Sequence, residues 1–130
     1  MFQNKVLQQV DVDNGEIVLY DYISQKFSDK NSSIVLQNVA EDWSKIMAEK
    51  KGAQTDFSDG SSWKNILDNY NVIKSTGIFV LSHQSPEKMK EYFEKNPEIL
   101  SDFFQQKSSY GLSIEMGADG IVYLSLVGSE

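Results

Sequence analysis

Near the end of the chain Val122, Leu124 and Leu126 alternate with Ile121, Tyr123 and Val127, so a strand here is apolar on both faces. Such a strand has to be covered on both sides, which demands a layered fold rather than a half-exposed hairpin. The preceding segment, Tyr110 to Met116, differs. Leu112, Ile114 and Met116 alternate with Gly111, Ser113 and Glu115, which reads as one apolar and one wet face. Gly117-Ala118-Asp119-Gly120 between the two runs predicts a hairpin.

The start of the chain gives a similar signal. Val6 to Val12 leads into Asp13-Asn14-Gly15, and Glu16 to Ile23 follows. Asn-Gly between β-rich runs predicts a second hairpin, because a type I′ turn needs positive φ at both central residues. In its return strand Val18, Tyr20 and Tyr22 oppose Ile17, Leu19 and Ile23. Tyr20, Tyr22 and Tyr123 then lie on second faces of strands. They call for helices on both sides of the sheet or for a partner surface, a homodimer among the possibilities.

Helical periodicity marks the middle. Ser32 or Ser33 caps a helix whose stripe is Leu36, Val39, Ala40, Trp43, Ile46 and Met47. Lys50 and Lys51 suit its C-terminal end, and Gly52 stops it. After a polar loop to Ser62, a short helix carries Trp63, Ile66, Leu67 and Tyr70. Val72 to Ser82, with its run Ile78-Phe79-Val80-Leu81, predicts a central strand covered on both faces. Ser85-Pro86-Glu87 and Asn96-Pro97-Glu98 each open a helix. The order is ββ-αα-β-αα-ββ: an α+β fold, a mostly antiparallel sheet of about five strands, in a single globular domain over residues 1–130.

Composition decides among function classes. The chain has 12 lysines, no arginine, no cysteine, one histidine and 19 carboxylates, for a net charge of -7. A polyanion ligand needs cations to neutralise phosphate, so nucleic acid and anionic membrane surfaces are not expected partners. An acidic protein is steered toward a basic one. No segment approaches the ~20 apolar residues of a membrane span, and Met1 to Asn14 does not read as a secretion signal, so a cytoplasmic location is expected.

Catalytic inventory is sparse. His83 follows the expected central strand, a position from which a general base could act. It has no Gly-x-Ser-x-Gly nucleophile motif beside it, and zinc would need three carboxylates with it. Asn14-Gly15, Asp59-Gly60 and Asp119-Gly120 sit among acids, but counting back from Gly15 and Gly60 puts Val10 and Thr55 at the first calcium-ligand position. Neither the P-loop nor the dinucleotide fingerprint occurs. No metal, no cofactor and no catalytic residue is expected.

The expected function is a non-enzymatic, acidic protein-binding protein that neutralises or occludes a basic partner, of the toxin-immunity or phage anti-defence inhibitor type. A secretion or assembly chaperone holding a partner segment is the nearest alternative, and a small carboxylate-dependent enzyme the next. The expected partner-binding residues are Asp11, Asp13 and Glu16 of the first turn, with Asp56, Phe57, Asp59 and Trp63 of the loop and the helix after it. Phe57 has a competing role there, folding back as a staple onto the short helix.

Overall fold

The computed structural model describes residues 6–72 and 74–130. Its elements run α1 (Gln9–Lys26), β1 (Asn31–Ser32), α2 (Ile34–Lys50), α3 (Trp63–Asn69), β2 (Thr76–His83), α4 (Pro86–Lys95), α5 (Pro97–Phe104), β3 (Ser109–Met116) and β4 (Val122–Ser129). The fold is α+β, with five helices around a four-stranded mixed sheet of order β1-β3-β4-β2 among the described residues. β1 runs parallel to β3, and both longer neighbours of β4 are antiparallel to it.

β4 is the strand that has to be covered twice, and it is. All of its residues are buried. Val122, Leu124 and Leu126 meet Val12, Leu19 and Ile23 of α1, Met89 and Phe93 of α4, and Leu100 and Phe104 of α5. Tyr123 and Val127 meet Val39, Trp43 and Met47 of α2 and Trp63, Ile66 and Leu67 of α3. The sheet therefore lies between a layer of α1, α4 and α5 and a layer of α2 and α3.

Four sequence expectations change. The first hairpin is the helix α1. Its buried residues, Val12, Leu19 and Ile23, follow helical spacing, and the β-like alternation from Ile17 to Ile23 is overridden by packing against β3 and α4. Gly15 sits inside the helix because Pro86 of α4 lies against it: a Cβ there would fall 2.3 Å from Pro86 Cβ. Second, β2 is an edge strand, not a central one. It is still covered on both faces, with Phe79 and Leu81 turned to one layer and Ile78 and Val80 to the other.

Third, the small-residue face of β3 is not wet. Ser113 is buried, and a Cβ on Gly111 would lie 2.2 Å from the backbone nitrogen of Gln37. The residues are small because α2 lies directly on them. Ser44 Oγ donates to the Ser113 carbonyl at 3.0 Å, and Ser125 Oγ donates to the Ala40 carbonyl at 2.6 Å. Fourth, the sheet has four strands rather than about five, because the expected opening hairpin contributes none and the two-residue β1 enters instead. Of the three tyrosines only Tyr123 lies on a strand, where it is 3% exposed under the α2–α3 layer; Tyr20 and Tyr22 belong to α1 and are half-buried against its core.

Candidate functional site

The seven expected binding residues fall into two groups on opposite sides of the sheet. Asp11, Asp13 and Glu16 belong to α1, while the Asp56–Trp63 segment packs with α2 and α3. They do not form one continuous surface.

The loop group is used locally. Asp59 pairs with Lys50 and accepts from the Ser61 N–H at 2.9 Å, and these bonds hold its carboxyl well below the usual range. Asp56 is lowered by hydrogen bonds from Ser62 and Thr55. Phe57 is half-buried, its ring 5.7 Å from that of Trp43 and 5.6 Å from the Lys50 ammonium. Trp63 is 7% exposed, inside the α2–α3 core.

The α1 group is more open. Asp11 caps its own helix, accepting from the Gln8 N–H at 3.0 Å. Asp13 is exposed between Val10 and Ile17, which are 61% and 59% exposed and lie one helical turn to either side. Glu16 turns inward. Its Oε1 accepts from the Ile114 N–H at 3.0 Å, on the edge of β3 away from β4, beyond the two residues that β1 covers.

Around Glu16 the fold gathers acids that are far apart in the chain. Burial raises the Glu16 carboxyl, the hydrogen bonds from Ile114 and Ser113 oppose that shift, and Glu41 of α2 and Asp13 raise it further. Burial likewise raises Glu115 of β3, with Lys45 opposing and Asp13 and Glu41 adding to the effect. Asp13, Glu16, Glu41 and Glu115, from three elements, are thus near enough to influence one another's charge, with Lys45 of α2 beside Glu115. Glu41 and Glu115 are not apparent from sequence, because only the docking of α1 and α2 around β3 brings them to Asp13.

The other side of α1 faces α4 across a groove of about 630 Å³. Leu7, Gly15, Val18 and Pro86 supply its apolar surface, and Asp11, Glu87, Glu91 and Glu94 stand along it with Lys90. The acids of α4 read in sequence as a solvated helix face, and the groove is formed only once α1 is a helix. His83 lines a separate, open hollow of about 580 Å³ with Lys88, Tyr92 and Lys95. Its Nδ1 accepts from the Gln84 N–H at 2.8 Å. Among the described residues no three His, Asp or Glu side chains are placed to hold a metal ion, and no helix is long and apolar enough to cross a membrane.

No protein-family model and no curated protein matches this sequence. Solved structures do share its fold. An outer surface protein from Borrelia burgdorferi superposes with a TM-score of 0.72 at 13% identity, covering 92% of this chain and 95% of that one. An extracellular protein containing a SCP domain from Bacillus anthracis superposes with a TM-score of 0.66 at 12% identity, covering 98% of this chain and 45% of that one, so the chain spans less than half of its length. At such identities what is shared is the arrangement of helices about the sheet, and the side chains that act on that frame are this chain's own.

Proposed function

We propose that the protein is a non-catalytic binding protein that neutralises or occludes a basic protein partner, in the manner of a toxin-immunity protein or a phage inhibitor of host defence. The observation that carries this reading is the grouping of Asp13, Glu16, Glu41 and Glu115, held together although Asp13 and Glu41 raise the carboxyls of Glu16 and Glu115. Like charges gathered at one edge create a directed field that accelerates encounter with an oppositely charged surface. The exposed Val10 and Ile17 beside Asp13 supply contact area once the partner arrives. Close ion pairs are few: among the described residues they are Asp29 with Lys30, Asp59 with Lys50 and Glu91 with Lys88, and Lys45 is the cation beside Glu115.

Cross-linking in cells of the native source, followed by mass spectrometry, identifies the partner. The expected partner is a basic protein, captured by the wild type and lost by the double variant Asp13→Lys, Glu41→Lys, which unfolds at the same temperature. Undiminished capture by a folded double variant overturns the reading. The reading keeps the cytoplasm as the site of action, whereas the two structural neighbours are a surface and an extracellular protein. Fractionation of the same cells decides where the partner is to be sought.

A further inference from the structure

We propose that the groove between α1 and α4 seats a basic amphipathic helix of the partner protein. This rests on the reading of the protein as a binder of basic partners and names the element of the partner that is held. Two helices that part around an apolar floor offer the shape that receives a third, as in helix-in-groove recognition.

The floor has a structural cause. Gly15 and Pro86 touch, which draws α1 and α4 together at one point. Beside that contact Leu7, just ahead of α1, and Val18 of α1 line the groove, and Val18 is 50% exposed.

Charge selects the occupant. Four carboxylates, Asp11, Glu87, Glu91 and Glu94, line the groove against one ammonium, Lys90. Lys90 is drawn toward the Tyr22 ring, 5.8 Å from its centroid, and Glu91 is partly offset by Lys88 at 3.5 Å. An acidic segment, or a second copy of this acidic chain, meets repulsion along the α4 wall. A segment with apolar residues at helical spacing, flanked by lysine or arginine, satisfies the floor and the wall together.

The test uses the full chain and three synthetic probe peptides. One is an amphipathic helix of leucine and lysine. The second has the same composition scrambled to remove helical spacing. The third keeps the apolar pattern with glutamate in place of lysine. The first is expected to bind, to weaken as salt rises, and to shift the backbone amide resonances of Gly15, Val18 and Glu94. The scrambled peptide is expected to bind at least roughly tenfold more weakly and the glutamate peptide not at all. Glu91→Lys with Glu94→Lys weakens the lysine peptide by roughly tenfold or more, and Val18→Asp does so without lowering thermal stability.

Equal binding of the periodic and scrambled peptides overturns the proposal, since attraction is then charge alone. So does a shift map centred on Glu16, Glu41 and Glu115, or unchanged binding in both groove variants. Those failures leave the broader reading standing if Asp13→Lys, Glu41→Lys still loses the native partner. If that variant retains it, the broader reading fails instead.

Discussion

Asn14-Gly15 and Asp119-Gly120 are near-identical punctuation in sequence, each between runs rich in β-forming residues, yet one lies inside a helix and the other turns a hairpin. At the second, the local chemistry is consistent throughout. Gly120 has φ +79°, Asp119 accepts from the Ile121 N–H at 3.1 Å and from the Tyr123 hydroxyl at 2.8 Å, and the Gly117 N–H donates to the Ile121 carbonyl at 2.9 Å. At the first, a turn was permitted but nothing flanking it required one. Val12, Leu19 and Ile23 reach the core together only on a helix, and Gly15 supplies clearance rather than positive φ. Glycine is therefore an ambiguous signal: it reports that a side chain is unwelcome, and whether backbone conformation or a neighbour is the cause depends on the rest of the fold.

The comparison can be broken at its strongest point with Leu19. It is fully buried on α1 while Val18 next to it is half exposed. Leu19→Ala should cost about 2–5 kcal/mol and Val18→Ala no more than about 0.5 kcal/mol, read by chemical denaturation. Comparable losses at both would point to a two-faced strand and restore the hairpin.

Gly15→Ala tests the neighbour explanation. Overpacking against Pro86 by about 1–3 kcal/mol should exceed the roughly 1 kcal/mol that alanine gains in a helix interior, leaving a net loss. Adding Pro86→Gly should recover part of that loss, with a coupling of about 0.5 kcal/mol or more in a double-mutant cycle. Strict additivity would mean that the two do not touch.

Gly120→Ala tests the conformational explanation. No atom lies within 4 Å of a Cβ there, so the expected cost of about 1 kcal/mol comes from the backbone alone, and no second substitution nearby should relieve it.

The smallest effect concerns Glu16 and appears as a slope. Its carboxyl is raised in the folded state above 4.5, so in the range above that value the folded chain binds more protons than the unfolded one. Stability due to this group then falls as pH rises through the window and is greatest at its acid end. Glu16→Gln can still accept from Ile114 and carries no charge. Its stability relative to wild type should rise with pH above 4.5 and level off once the wild-type carboxyl is ionised; a flat difference would mean that burial does not disfavour the charge.

What was legible had local causes. Ser33, Ser62 and Ser85 cap α2, α3 and α4 with their side chains, accepting from Leu36, Lys64 and Lys88, and each is visible as a serine ahead of a periodic run. Pro97 opens α5, and β3 and β4 pair as the expected hairpin. The rest depends on contacts between distant segments. β1 has two residues, Asn31 and Ser32, with no apolar pattern, and exists because β3 offers a parallel partner. β2 is as apolar as a central strand because helices overlap the sheet's rim. For the candidate site, Asp13 and Glu16 were readable as acids beside a glycine, whereas Glu41 and Glu115 join them only through three-dimensional packing. Phe57 and Trp63 stand out in sequence as aromatics, but the Phe57 ring lies against Trp43 of α2 rather than on the short helix, and Trp63 sits in the core shared by α2 and α3.

Gln37 adds a different consequence. Its side-chain amide donates to the Leu112 carbonyl and accepts from the Leu112 N–H at 3.0 Å, standing where another strand's backbone would bond, and Glu16 takes the Ile114 N–H one position further along. An uncovered strand edge invites strand-by-strand growth into fibrils and swapped oligomers. Here two side chains, one from α2 and one from α1, occupy those bonding positions, so the molecule resists strand addition at β3 without giving up the strand for as long as both helices remain docked.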